Sequence, residues 1–230
     1  HKTIRNVTGD IDGFRFSFAI SDIMQLCGET AKFAKTVEDK MQRAVLFEAM
    51  YSIIKLLSPF TPHLSEELWA MAGGKDLVSL LAWPRHDESL IDKKADMMDM
   101  FVKDTVSDIR QIVDLIGKVP SSVNLYVAPS WKHKIYTVAM GKPKNLVGEV
   151  MADAEIRKVG KNALKYAQVL MKKPVFADVL EPVDELSALK ESLDFISEEF
   201  GCKVKVLRAE DSDADKAKRA ESGKPGIEVL

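Results

Sequence analysis

The residues that invite a chemical reading are few. His63 and Glu67 fall four apart in the run His63-Leu64-Ser65-Glu66-Glu67, so on a helix they share one face. A metal site needs a third ligand, and no HExxH pattern supplies one. Glu66 and Glu67 offer two carboxylates for acid–base work, but neighbours on a helix point roughly 100° apart. The expected role of this run is the start of a helix with first-turn acids. The four histidines, His1, His63, His86 and His133, are widely separated, and the cysteines, Cys27 and Cys202, stand far apart. That usage gives neither a zinc ligand set nor a disulfide framework and fits a reducing cytosol. Cys27 is expected to be an inert core thiol. Phosphate-loop, dinucleotide and nucleophile-elbow patterns are missing from these residues. The expectation is a chain without a catalytic site or bound cofactor, located in the cytoplasm. It has no run of 18 apolar residues, no secretory pattern at the N-terminus, and no expected membrane partner.

Charge is more informative. The whole chain carries 33 basic and 35 acidic residues, a net of −2. Residues 130–173 hold 10 basic against 3 acidic, a local excess of +7. Residues 174–230 hold 8 against 14, a local net of −6. If residues 153–172 form one helix, Arg157, Lys161, Lys165 and Lys172 line one face, with Lys158 beside them. Lys132, Lys134, Lys142 and Lys144 precede them, near Trp131 and Tyr136. Like charges at i, i+4 repel by a few tenths of a kcal/mol, which an anion would relieve. RNA phosphates would do so, with strongly salt-dependent binding. A solvated lysine face neutralised by the acidic C-terminal segment is the alternative.

These residues must be positioned by elements of two kinds. Apolar stripes predict helices around Phe16–Ala34, Leu46–Leu57, Pro62–Ala72 and Met98–Ile116. Asp10 or Asp12 is the expected cap of the first, Thr61-Pro62 opens the third, and Gly73-Gly74 stops it. Residues 1–118 read as a four-helix bundle. After Pro120 the pattern changes. Val123, Leu125 and Val127 alternate as a strand; helices are expected near 130–140, 153–172, 186–200 and 211–221; Val204 and Val206, and then Ile227–Leu230, read as strands. The expected class is mainly α: a helical bundle over 1–118, then a small α+β domain over 119–230. Trp69 and Trp83 are expected to pack in the core or linker. The start at His1 fits a piece of a longer protein.

The run Leu56-Leu57-Ser58-Pro59-Phe60-Thr61-Pro62-His63-Leu64-Ser65-Glu66-Glu67-Leu68-Trp69 resembles a signature of the anticodon-binding helical domain of class I aminoacyl-tRNA synthetases. The leucine, isoleucine, valine and methionine enzymes share that domain. Asp10–Ile20 resembles its opening helix, and Trp83-Pro84 the pair that follows its third helix. Val123–Lys134, Asp153–Lys172 and the Lys-Val-Lys-Val-Leu-Arg-Ala-Glu-Asp run at 203–211 resemble leucyl-tRNA synthetases of the archaeal and eukaryotic cytosolic type. The resemblance covers essentially the whole chain, in the order of that family's C-terminal end.

The resemblance implies a bundle against the anticodon-stem side of tRNA and a second domain reaching the long variable arm of leucine tRNA. It implies that ATP and magnesium belong to a catalytic domain absent from this chain, itself a partner, because HIGH-like and KMSKS-like signatures are missing here. Lys132, Lys134, Lys142, Lys144, Arg157, Lys158, Lys161, Lys165 and Lys172 are the expected phosphate contacts. Pro225-Gly226-Ile227-Glu228 resembles the family's terminal segment, which puts Ile227 and Glu228 near variable-arm nucleotides. A stand-alone tRNA-binding paralogue or trans-acting protein, and a protein–protein interaction module, are the rival readings.

Overall fold

The computed structural model describes residues 1–173 and 175–230. It falls into two compact units, His1–Asp92 and Lys93–Leu230.

The first unit contains α1 (Lys2–Asp12), α2 (Phe16–Phe33), α3 (Lys40–Leu57) and α4 (Pro62–Met71). Its core joins Ile4 and Val7 of α1, Ala19 and Ile23 of α2, and Ile53 and Leu56 of α3. Cys27 packs against this core, as the stripe predicted. Asp10 and Asp12 do not cap α2; they end a separate helix, α1, and Asp10 accepts from Arg15 Nε at 2.8 Å. α3 opens with a capping box between Asp39 and Gln42, which satisfies two N-terminal donors. Pro62 takes the first position of α4, as expected, but the Thr61 side chain makes no capping bond. Trp83 packs on the core, and its indole N–H donates to Thr8 Oγ1 at 2.9 Å.

The second unit begins with α5 (Lys93–Ile116), so the compact units part at 92/93 and not at the expected 118/119. The reason is where the stripe of α5 is buried. Phe101, Val102, Val106 and Ile109 join one core with Val123, Leu125 and Val127 of β1 (Ser122–Val127) and Ile227 of β3 (Gly226–Val229). β2 (Lys203–Arg208) lies parallel to β1, and β3 antiparallel, in the order β2-β1-β3. The register sets Leu125 opposite Val206 on one side and Ile227 on the other. α10 (Pro182–Glu191) and α11 (Leu193–Phe200) cover the same face with Leu189 and Ile196. The expected single helix over 186–200 is thus two, parted at Ser192.

Between β1 and α10 lies a helical lobe: α6 (Ser130–Met140), α7 (Leu146–Ala152), α8 (Ala154–Val159) and α9 (Lys161–Met171). Ile135, Tyr136, Leu146, Val150, Ile156, Ala163 and Leu170 form its core. The expected helix over 153–172 is broken at Gly160, whose φ of 66° and ψ of −128° suit a residue without a Cβ. Of the segment expected as a helix over 211–221, only Asp215–Lys218 is α-helical (α12); Ala217 within it and Ala220 just after it pack on the sheet's other face beside Tyr126. A Cβ at Gly226 would lie 2.2 Å from the Lys216 carbonyl oxygen, so glycine there lets α12 press onto β3.

Candidate nucleic-acid interface

The run that suggested a metal or an acid–base pair is structural. His63 is exposed on the first turn of α4. The Glu66 carboxylate accepts from the Val78 and Ser79 N–H groups at 2.8 and 3.1 Å and from the Ser79 hydroxyl at 2.8 Å. Desolvation pushes its pKa up, but those three hydrogen bonds outweigh it and hold the carboxyl below its ordinary value. Among the described residues no group of three histidine, cysteine, aspartate or glutamate side chains could hold a metal ion. Among them, too, no helix is long and apolar enough to cross a membrane.

The basic segment is built on α6 to α9, and its cations divide into two sets. Lys132 is buried, only 7% exposed, contrary to its expected place on the RNA-facing surface. Its ammonium donates to the carbonyls of Lys218 at 2.9 Å and Ala220 at 2.5 Å. It also sits 5.6 Å from the Trp131 ring and 5.5 Å from that of Tyr166, within cation–π range. Burial pushes the Lys132 pKa down, against the opposing pull of Glu221. Lys132 is a tie between α6 and the C-terminal segment. Lys134 pairs with Glu155, and the bond raises its pKa. Arg157 donates through Nε and Nη2 to the Met151 carbonyl, at 3.1 and 2.9 Å, closing the C-terminus of α7.

The second set is open. Lys142, Lys144, Lys158, Lys161, Lys165 and Lys172 are exposed, and among the described residues no ion pair engages them. The stripe expected from Arg157 to Lys172 does not run along one helix, because Gly160 separates α8 from α9. Lys161 and Lys165 do share a face of α9, and Lys172 follows at its end. Among the described residues the ion pairs of the acidic C-terminal segment leave these lysines out: Glu199 and Asp184 pair with Arg110 and Lys94 of α5, Glu185 faces His133 of α6, and Glu210 and Asp215 pair with Arg208 and Lys218 inside the segment.

Ile227 is 6% exposed and packed in the sheet core, so its side chain cannot meet RNA as expected. The neighbouring Glu228 is turned to the opposite face. It accepts from Asn124 Nδ2 at 3.0 Å and the Tyr126 hydroxyl at 2.7 Å, and these bonds hold its pKa below the ordinary value. Its carboxylate is committed within the sheet.

A buried knot holds the lobe to the sheet's helices. His133 Nε2 lies 2.9 Å from Glu185 Oε1, within hydrogen-bond reach, and the Gly223 N–H donates to the same oxygen at 2.7 Å. Glu185 is fully buried. The knot and the Lys132 tie fix the segment after α12 against α6. Between them opens a cleft of about 620 Å³ that the sequence did not disclose. Trp131, Tyr166, Asn162 and Lys165 line it from α6 and α9, and Lys218 and Arg219 from the far side. The signal was present as the basic cluster Lys216, Lys218 and Arg219, but it lies inside a segment of net negative charge.

Residues 1–136 match the family described as the anticodon-binding domain of tRNA ligase. A leucine–tRNA ligase of Halobacterium salinarum is 33% identical over 229 residues, covering 99% of this chain and 25% of that protein. One from Pyrococcus abyssi is 32% identical over 235 residues, covering 99% of the chain and 24% of the relative. One from Methanosarcina barkeri is 33% identical over 197 residues, covering 79% and 20%. The chain therefore spans about a quarter of the length of the curated relatives it matches. With its helical first unit, its Pro-Phe-Thr-Pro run and a match over more than half its length, the chain belongs to the anticodon-binding domain family of tRNA ligases.

Proposed function

We propose that the chain is the tRNA-binding, C-terminal portion of an archaeal-type leucyl-tRNA synthetase. It positions leucine tRNA, by the anticodon-stem side and the long variable arm, for aminoacylation by a catalytic part outside these residues. ATP and magnesium act in that part. The observation that carries the reading is the exposed, unpaired lysine set of α6 to α9 in a chain whose relatives over 99% of its length are leucine–tRNA ligases. Lysines of this kind neutralise phosphates and set register, and they carry no sequence information themselves. Specificity then falls to unpaired nucleotides, since a paired RNA helix hides its base edges in a deep major groove.

The test is a titration of the chain with a leucine tRNA, a serine tRNA and a short-armed tRNA, at low and moderate salt. The expected result is tightest binding to leucine tRNA, with affinity falling steeply as salt rises. Equal weak binding to all three contradicts recognition of the variable arm. No binding at low salt contradicts the tRNA reading as a whole and favours a protein partner.

A further inference from the structure

The cleft between α6, α9 and α12 combines three chemistries. One wall is aromatic: Trp131 and Tyr166 meet edge to face, with centroids 5.8 Å apart and planes at 85°. The rim carries cations, Lys165 on one side and Arg219 and Lys218 on the other, Lys218 being paired with Asp215 at 3.6 Å. Asn162, one turn before Tyr166 on α9, adds an amide that both donates and accepts. Lys132, which itself lines the cleft, holds the two sides together through its ammonium on the carbonyls of Lys218 and Ala220, so the cleft is preformed. Its volume of about 620 Å³ falls within the roughly 300–1,000 Å³ of small-molecule sites. That is room for a mononucleotide and not for a paired helix.

We infer that this cleft takes one unpaired, unstacked nucleotide of the bound RNA, with its base against Trp131 and its phosphates on the cations of the rim. The inference rests on the tRNA reading above and adds a defined pocket to it. An unpaired base offers a π-face for an aromatic wall, and its Watson–Crick edge is free for an amide. The carboxylates of Glu210 and Glu221 stand at the same cleft. They can accept from the exocyclic amines of adenine, cytosine or guanine, which places the base on their side and leaves the phosphates to Lys165 and Arg219.

The three tryptophans allow a direct readout. The chain is labelled with 5-fluorotryptophan, and its fluorine spectrum is followed while four probes are added: a leucine tRNA transcript, a short single-stranded RNA of mixed sequence, a blunt RNA duplex of the same length, and an acidic peptide. The Trp131 resonance, assigned by its loss in Trp131→Phe, is expected to shift with tRNA and with the single strand and to stay still with the duplex. Trp131→Leu is expected to weaken tRNA binding about 5- to 100-fold, the loss typical of one stacked base. Its salt slope should not change, because a neutral ring displaces no counterion. Trp131→Phe should recover most of the affinity. Should Trp131→Leu fail to fold, the fluorine shift in the unsubstituted chain still decides. tRNA that binds while the Trp131 resonance stays still overturns the cleft and leaves the tRNA reading standing. Failure to bind any of the three RNAs overturns both. A shift produced by an acidic peptide and by none of the RNAs assigns the cleft to a protein partner and also overturns the inference.

Discussion

Lys132 shows how burial divides lysines that look alike in the sequence. Its neighbour Lys134 is exposed, whereas the Lys132 ammonium is shut in with two backbone carbonyls. Lys132→Met should therefore act on folding before it acts on RNA. It leaves two carbonyls short of a donor, a loss of about 1–3 kcal/mol that urea unfolding would measure. An unchanged unfolding midpoint would place this ammonium in solvent. Glu185→Ala should cost more, about 2–5 kcal/mol, since it removes a fully buried acceptor and leaves both the His133 ring and the Gly223 N–H without it, each loss being about 1–3 kcal/mol. Glu228 adds a pH dependence. Its folded pKa lies below the ordinary value, so its bonds to Asn124 and Tyr126 contribute stability above that value. The contribution is lost as pH falls through the lowered folded value. Glu228→Gln is expected to shrink the drop in unfolding midpoint between neutral pH and about pH 3. A drop of the same size in both proteins would show that the carboxylate is not engaged.

At the scale of elements, periodicity disclosed which residues are buried but not what buries them. The stripe Phe101, Val102, Ile109 was legible, and α5 ends at Ile116 as expected but begins at Lys93, ahead of the expected Met98. Its assignment to the bundle was not legible, because an apolar stripe fits a helical core and a sheet face equally well. The strands at 122–127, 203–208 and 226–229 were legible from alternation. α1 was missed because Ile4, Val7 and Ile11 form a stripe only three residues long, too short to separate from a leader into α2. The break at Gly160 was missed because the apolar pattern runs through it. Only the positive φ reveals the turn, and that is a backbone property. α5 also supplies a test. A segment of residues 93–230 should unfold cooperatively, because its sheet keeps the cover of Phe101, Val102, Val106 and Ile109. A segment of residues 119–230 should not, since removing that cover strips several residues, each contributing about 1.5–3 kcal/mol of burial. Equal cooperativity in both segments would contradict the part given to α5.

For the molecule as a whole, net charge conceals the interface and local charge reveals it. A chain at −2 carries a lobe on which Lys142, Lys144, Lys158, Lys161, Lys165 and Lys172 are exposed and, among the described residues, in no ion pair with the acidic segment that follows. The lysines on the outer face of the lobe were legible as a block, and Lys161 and Lys165 sit together on α9 as expected. The cleft was not legible, since it joins residues more than fifty positions apart, Trp131 and Tyr166 with Lys218 and Arg219. The most direct measurement of the central claim is the salt dependence of leucine tRNA binding for the chain and for its Lys161→Ala/Lys165→Ala double variant. The double variant is expected to bind more weakly, with a slope of log affinity against log salt shallower by about one to two units. An unchanged slope, with tRNA still bound, would mean that these lysines do not face phosphate and would contradict the interface proposed for α6 to α9.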